Sequence, residues 1–250
     1  MVKQEVNGKE KLTIAERAKI VRIRGIQNND LPLIARWVAD SETHGKLDFA
    51  PEPPKDWRNR TEVQAYISQF EDYYRNKNKD EDKNKDEDPK KITPLVAVNS
   101  MLEPASVLTI RWRGDPYVPK DKRIASIEAF MTDPELRHKG IGKQTLSAAL
   151  DVIFYEYKGY SGEAAREARL WIFTDARAGD YSSNINFFRQ YGFENLAGNW
   201  KEYVAKREIE NVGDRDAMWF KLTKEKWEEI KLGNSKIAEH APIDLLNLRI

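Results

Sequence analysis

Residues 137–143, Arg-His-Lys-Gly-Ile-Gly-Lys, have the composition of a turn that binds a phosphorylated ligand. Gly140 and Gly142 let the backbone approach a ligand closely, because neither residue has a Cβ in the way. Positive charge gathers around the same point. The basic side chains are Arg137, Lys139 and Lys143. This combination predicts a site for an anion such as a pyrophosphate.

A predicted strand and a predicted helix must hold this turn in place. Residues 124–131 are mostly apolar and are expected to form a strand with two distinct faces. One face would carry Ala125, Ile127, Ala129 and Met131, and the other Ile124, Ser126, Glu128 and Phe130. Residues 146–157 have apolar side chains at three- and four-residue steps, which predicts an amphipathic helix. The unpaired N–H groups at the start of that helix, together with its dipole, favour a bound anion.

The turn resembles the acetyl-CoA pyrophosphate loop of the GNAT superfamily of N-acetyltransferases, usually written [RQ]-x-x-G-x-[GA]. Residues 183–193, Ser-Asn-Ile-Asn-Phe-Phe-Arg-Gln-Tyr-Gly-Phe, resemble the superfamily's later segment, a short helix that closes in Gly-Phe. A predicted strand at 168–174 lies between the two, as in the family. The resemblance covers about residues 123–195. It implies the GNAT fold, an α/β (α+β) class with a mixed, mostly antiparallel central sheet of about seven strands, splayed at the middle, and helices on both faces.

The resemblance also implies an acetyl-CoA-dependent N-acetyltransferase that moves the acetyl group to a primary amine of a small molecule or a protein by direct attack. A chain without cysteine fits a mechanism that forms no acyl-enzyme. In the family, the pantetheine arm pairs with the end of the central strand, where a bulge frees backbone groups that can also polarise the thioester carbonyl. The resemblance places the cofactor contacts at Phe130, Met131, Thr132, Arg137, His138, Lys139, Gly140, Ile141, Gly142 and Lys143.

The attacking amine arrives as an ammonium ion and must lose a proton to a carboxylate base or through ordered water. Glu128 is the favoured base in the sequence, because it lies on an apolar strand two residues before the expected splayed end. The alternatives are that Glu128 pairs with a neighbouring arginine or that it simply binds the cationic substrate. Asp133 and Asp175 are weaker candidates for the base and are better explained as turn residues.

The sequence departs from the family at the position of the acid that protonates the leaving thiolate. Many members have a tyrosine four residues before the glycine of the Gly-Phe pair, and this chain has Phe188 there. Phe188 is expected to pack against the pantetheine end. Tyr181 or Tyr191 would supply the proton, or the thiolate would leave unassisted; Tyr191 is also a candidate core residue. Asn184 or Ser183 is expected near CoA in place of the family's usual asparagine.

Composition argues against several other classes of protein. Lysine plus arginine (42) nearly balances aspartate plus glutamate (41), which argues against a nucleic-acid-binding protein. The three histidines, His44, His138 and His240, lie far apart in sequence, so no metal site is expected. Neither a run of eighteen apolar residues nor an apolar N-terminal stretch occurs. We therefore expect no membrane span and no signal peptide, and we expect a cytoplasmic location.

The sequence predicts one domain with two less ordered segments and an apolar C-terminal tail. Residues 1–16 are polar and are predicted to be flexible, whereas residues 17–232 are expected to form a single GNAT acyltransferase domain. Residues 76–91 are low in complexity and lack apolar side chains, which predicts a charged, disordered insertion. Residues 233–250 are an apolar tail that is expected to pack on the domain or on a second copy in a homodimer.

Local patterns predict the remaining elements. Further strands are expected at 18–26, 94–98, 106–113, 203–209 and 217–222, and helices at 31–40, from 61 onward and at 224–230. The first two helices and their connection cover the acceptor in the family. Candidate acceptor contacts there are Trp37, Asp48, Phe49 and Trp57, with a core position as the alternative for Trp37.

Two other interpretations compete with an acetyltransferase. One is a catalytically weak GNAT-fold module that binds CoA or a protein partner, favoured by the missing tyrosine, the charged insertion and the tail. The other is a dinucleotide-binding fold, which is disfavoured because Thr145 occupies the third glycine position of G-x-G-x-x-G. The acceptor itself is open. A polyamine-like cation needs several carboxylates at the mouth of the site, whereas a peptide needs an open groove.

Overall fold

A computed structural model provides the structure of the chain. It describes residues 5–6, 9–10, 19–40, 54–56, 58–76, 92–113, 124–156, 164–173, 181–196 and 217–233. Within these ranges, no helix has the length and hydropathy that crossing a bilayer requires. A two-stranded ladder pairs Glu5–Val6 with Lys9–Glu10, inside the segment that was expected to be flexible.

Seven strands form the main sheet. They are β1 (Ile20–Gly25), β2 (Ile92–Asn99), β3 (Pro104–Arg113), β4 (Ile124–Thr132), β5 (Glu167–Phe173), β6 (Glu194–Asn195) and β7 (Ala217–Thr223). The described residues also form five α-helices: α1 (Leu31–Ala39), α2 (Arg60–Asn76), α3 (Ile141–Asp151), α4 (Ser182–Arg189) and α5 (Lys224–Gly233). Short 3₁₀ turns span Asn28–Asp30 and Pro134–Leu136, and a π-helical turn at Val152–Glu156 extends α3.

The strand order is β1-β2-β3-β4-β5-β7-β6. Every neighbouring pair is antiparallel except β4 and β5, which run parallel. The predicted mixed, mostly antiparallel sheet of seven strands is therefore confirmed. The edge strand Glu194–Asn195 was not predicted, because two residues are too short to show an alternating pattern. The predicted strand at 203–209 lies outside the described residues.

The sheet separates between its two parallel strands. Register pairs join Ile124 to Glu167, Ala125 to Ala168 and Ser126 to Arg169, and the ladder ends there. The last six residues of β4, 127–132, thus continue beyond their pairing with β5. This is the expected splay, and it leaves one edge of β4 accessible in the middle of the sheet.

A β-bulge lies in the separated part of β4. Glu128 is opposite Thr109 and Met131 is opposite Val107, so two residues of β4 face the single residue Leu108. Ala129 adopts the left-handed conformation at this point, with φ +48°. The extra residue reverses the alternation of side chains along the rest of the strand.

The predicted faces of β4 are consequently wrong beyond Glu128. Phe130 packs against the same core cluster as Ala125 and Ile127, whereas Ala129 and Met131 pack against the other cluster. Strict alternation would have placed Phe130 with Glu128. The bulge explains the difference, because it shifts the pleat by one residue.

Helices cover both faces of the sheet. One core cluster includes residues of α3, α4 and α5 with the sheet face that carries Ile127 and Leu170. The second lies between the sheet and helices α1 and α2, and includes Trp37, Tyr66 and Met131. Trp37 is 3% exposed, so its core position is confirmed and a direct acceptor contact is not. Asp48, Phe49 and Trp57, like residues 77–91 and 234–250, lie outside the described residues.

Candidate active site

A cavity of about 750 Å³ lies at the separation of β4 and β5. Four segments contribute to its lining: residues 127–132 of β4, residues 136–143, residues 170–173 of β5 and residues 183–190 in and after α4. A cavity of this size is typical of sites that bind small molecules and cofactors. It adjoins the basic turn singled out in the sequence.

Hydrogen bonds fix the chain between β4 and the turn. The Asp133 carboxylate accepts from the Glu135 N–H at 2.9 Å, and the Asp133 N–H donates to the Ala105 carbonyl at 3.0 Å. Leu136 is fully buried and anchors the short turn that follows. Asp133 therefore caps this turn, which supports its assignment as a turn residue rather than a base.

The basic turn leads directly into α3. His138 (φ +60°) and Gly140 (φ +83°) both adopt the left-handed conformation, and Gly140 immediately precedes the helix. The first intrahelical bond runs from the Gln144 N–H to the Gly140 carbonyl at 3.2 Å. The N–H groups of residues 141–143 precede that bond, so they are the helix donors that an anion at the N-terminus can use.

Gly142 lies where the turn, β4 and α4 come together. A Cβ at this position would lie 3.6 Å from Phe130 Cζ, 3.6 Å from Thr132 Oγ1 and 3.7 Å from Phe187 Cζ. A methyl group would thus touch its neighbours without overlap and would occupy space beside the cavity. Gly140 is different, because no atom of the described residues lies within 4 Å of its hypothetical Cβ and only its positive φ favours glycine.

Most of the residues predicted to contact the cofactor line the cavity. These are Phe130, Met131, Thr132, Arg137, His138, Gly140, Gly142, Lys143, Asn184 and Phe188, and Glu128 lines it as well. Lys139 is exposed and Ile141 is 1% exposed within the core, and neither side chain belongs to the lining. For Ile141 the buried side chain leaves the backbone as the possible contact, and the contact predicted for Lys139 stays a prediction.

Sequence reasoning missed several lining residues, including Trp171, Phe173 and Phe187. Trp171 and Phe173 were assigned to a strand, but nothing local shows where β5 parts from β4. Phe187 could have been found from its neighbour Phe188, because successive helix residues are only about 100° apart and can border the same cavity. Its ring lies 5.1 Å from the Phe188 ring and 6.1 Å from the Phe130 ring, between centroids.

Neither tyrosine considered as an acid belongs to the described lining of the cavity. Tyr191 is 1% exposed, and its hydroxyl donates to the Lys143 carbonyl at 3.0 Å. Burial raises the pKa of Tyr191 to about 12. It holds the first turn of α3 in place rather than facing a substrate. Tyr181 packs against the core cluster of α3, and Phe188 lines the cavity where the family has its tyrosine.

Glu128 is deeply buried at the bulge. Its side chain lies on the face of β4 opposite Ile127, on the side of the sheet that α1 and α2 cover, and the residue is 3% exposed. Among the described residues that line the cavity it is the one carboxylate. The same ranges contain no group of three or more His, Asp or Glu side chains placed to hold a metal ion.

The strand order and the position of the cavity agree with the family that the sequence resembles. The sequence model of the acetyltransferase (GNAT) family matches residues 55–193, more than half of the chain. The chain belongs to this family. No curated protein sequence matches it.

Solved structures share the fold at low sequence identity. One is the apo form of FdhC, described as a nucleotide-linked sugar GNAT, with a TM-score of 0.52, 9% identity, and coverage of 88% of this chain and 99% of that one. Another is the spermidine N-acetyltransferase from Vibrio cholerae in complex with CoA and spermine, with a TM-score of 0.51, 12% identity, and coverage of 82% and 96%. At such identities the likeness shows the fold alone.

Proposed function

We propose that the protein is an N-acetyltransferase that transfers an acetyl group from acetyl-CoA to a primary amine by direct attack. The observation that carries this proposal is the separation of β4 from β5 beside the N-terminus of α3, with a cavity between them. The separation offers a strand edge for an extended arm, and the helix start offers donors for a diphosphate. The membership in the GNAT family and the CoA bound to a protein of the same fold support it.

The basic turn would hold the diphosphate. The N–H groups of residues 141–143 supply donors, and Arg137 and Lys143 supply positive charge at the cavity. The bare backbone of Gly142 permits close approach beside Phe130 and Thr132. The pantetheine arm would then follow the open edge of residues 127–132, with Phe188 and Asn184 against its other side.

Glu128 would act on the attacking amine. Its carboxylate takes a proton from the ammonium ion, and the freed nitrogen attacks the carbonyl carbon of the thioester. A C–N bond forms, the C–S bond breaks, and CoA leaves as a thiolate while backbone N–H groups near the bulge stabilise the oxyanion. The nitrogen then releases its second proton to water and becomes the neutral amide. A thiol with a pKa near 8.5 is a good leaving group, so we propose that the thiolate departs without a tyrosine donor and takes its proton from water.

A second candidate function is a CoA-binding module with little or no turnover. The specific observation in its favour is Phe188 at the position where a tyrosine is common in the family. Such a protein would bind acetyl-CoA through the same turn but would release no thiol. The two candidates therefore differ in turnover and agree in binding.

Binding and turnover can be measured separately. A thermal-shift titration with acetyl-CoA should stabilise the protein by about 2.7 kcal/mol at one hundred times the dissociation constant. A thiol-release assay over a panel of primary amines then tests transfer. Thiol release that depends on the amine supports the acetyltransferase. Binding without release on any amine supports the module, and failure to bind acetyl-CoA rejects both.

A further inference from the structure

Tyr191 joins the first turn of α3 to the segment that follows α4. Its side chain is 1% exposed, and its hydroxyl donates to the Lys143 carbonyl at 3.0 Å. The Ser147 side chain, one turn further along α3, also hydrogen-bonds the phenol. Residues of the basic turn and of α4 both contribute to the lining of the cavity. The hydroxyl of Tyr191 therefore connects two parts of the cavity wall from behind.

The bonded carbonyl belongs to the peptide group that begins the helix. The Lys143 carbonyl and the Gln144 N–H are parts of one planar unit. That N–H closes the first intrahelical bond, to the Gly140 carbonyl at 3.2 Å. The Tyr191 hydroxyl thus fixes the peptide group that holds Gly140 at the start of α3. The N–H groups of residues 141–143, the proposed donors to the diphosphate, lie within this same turn.

Helix α5 holds the Tyr191 ring in place. The Trp227 ring stacks on it, with centroids 6.1 Å apart and an angle of 23° between the ring planes. The Trp227 indole N–H donates at 2.9 Å to the carboxylate of Asp151, the last residue of α3. Lys231 donates to the same carboxylate at 2.9 Å. Helix α5, which lies beyond the residues 55–193 matched by the family model, therefore supports α3 at its C-terminal end directly and at its N-terminal end through Tyr191.

We propose that Tyr191 is a positioning residue for acetyl-CoA, because its hydroxyl holds the first turn of α3 in the geometry that binds the diphosphate. This inference rests on the proposed function. The residue acts through the Lys143 peptide group and not by contact with the ligand. Donors that are already in place bind an anion more tightly than donors that must become ordered on binding. Tyr191 thus serves the diphosphate end of the cofactor and not the thiol end.

The test compares the dissociation constant of acetyl-CoA in wild type, Tyr191→Phe and Tyr155→Phe. Tyr191→Phe removes only the hydroxyl and keeps the ring that stacks on Trp227. We expect it to raise the dissociation constant about fivefold, which is within the range of one buried hydrogen bond. Tyr155→Phe is the matched control, because it removes a hydroxyl that bonds Glu228 at 3.3 Å at an exposed position. Its dissociation constant should stay within a factor of two of wild type. Isothermal titration calorimetry, at a temperature at which all three proteins are folded, measures these values.

Phosphorus NMR of bound CoA separates positioning from stability. The diphosphate signals depend on the donors around that group, and the signal of the 3′-phosphate provides an internal reference. In saturated Tyr191→Phe we expect the diphosphate signals to move from their wild-type positions and the 3′-phosphate signal to stay. A variant that is only less stable would give the wild-type signals once it is saturated with CoA.

Two results would overturn the inference alone. A dissociation constant of Tyr191→Phe within a factor of two of wild type would show that the hydroxyl serves only the fold. Weaker binding with unchanged diphosphate signals would show that the loss of affinity arises away from the diphosphate. Both results leave the proposed acetyltransferase intact. If wild-type protein does not bind acetyl-CoA, the proposed function fails and the inference fails with it.

Discussion

The guanidinium group of Arg137 lies 2.9 Å from the carboxylate of Asp40, so an ion pair joins the basic turn to the end of helix α1. The two side chains are 22% and 32% exposed. Helix α1 packs on the sheet face towards which Glu128 points, whereas the turn leads into α3. The pair thus connects the proposed diphosphate site with an element on the proposed acceptor side.

We expect Asp40→Asn to strengthen the binding of acetyl-CoA by a factor of about two to five at low salt. The substitution removes a negative charge beside the proposed diphosphate site, and partly exposed ion pairs are worth about 1 kcal/mol or less. Arg137→Gln should have the opposite effect. Isothermal titration calorimetry on both single variants and the double variant, at low and high salt, measures the coupling.

A loss of affinity in Asp40→Asn as large as that in Arg137→Gln would contradict this expectation. It would mean that Asp40 serves to orient Arg137 and that the freed guanidinium turns away from the cavity. If the variants bind acetyl-CoA with the same affinity at high salt but with different affinities at low salt, the electrostatic explanation is supported.

Gly140 should matter for the stability of the fold, whereas Gly142 should matter for the binding of acetyl-CoA. Gly142→Ala should fold as stably as wild type, because its Cβ would make contacts of 3.6–3.7 Å, but it should bind acetyl-CoA about tenfold more weakly as the methyl group fills space beside the cavity. Gly140→Ala should lose about 1–2 kcal/mol of unfolding free energy because of its positive φ. Urea denaturation and acetyl-CoA titration of the two variants check this. If wild type and Gly142→Ala bind acetyl-CoA with equal affinity, the turn is not part of the acetyl-CoA site.

Much of this site could be predicted because its signals are local. Two glycines among basic residues, followed by an apolar periodicity, indicate a turn before a helix in any context. The orientation of Phe130 could not be predicted, since the bulge at Ala129 depends on how β4 pairs with β3. Trp171 was missed for a similar reason, because the point where β5 parts from β4 is a property of two strands and not of one sequence. The domain limits and the roles of individual site residues stay predictions.

The glycine of the Gly-Phe pair has a structural explanation. Gly192 has φ +78°, and a Cβ there would overlap Ile230 Cδ1 of α5 and lie 3.3 Å from Lys226 Cγ. We expect Gly192→Ala to lower the unfolding free energy by about 1–3 kcal/mol, mostly from the left-handed conformation, with a smaller cost for displacing the end of the Ile230 side chain. Gly233→Ala is the matched control, because no atom in the described part of the chain lies within 4 Å of the Cβ that it would add. A Gly192→Ala variant as stable as the control would refute this packing account.

Alkaline pH should destabilise the protein in part through Tyr191. Burial raises its pKa from 10.0 to about 12, so the folded state favours the neutral phenol. The stabilisation is fully present below pH 10 and is lost as the pH rises from 10 to 12; it amounts to at most about 3 kcal/mol. Tyr191→Phe should reduce the fall in unfolding free energy between pH 9 and 11. An identical fall in wild type and variant would show that the phenol does not titrate as expected.

Glu128→Gln tests the proposed base directly. The amide keeps the size of the side chain at this buried position but cannot take a proton, so turnover should fall by about a hundredfold or more. The dissociation constant of acetyl-CoA should stay within a factor of two, because Glu128 lies on the strand face away from Phe130 and α3. Single-turnover thiol release and a parallel acetyl-CoA titration separate the two quantities. Turnover equal to that of wild type would show that Glu128 at most binds the acceptor, and the proton would then leave through water.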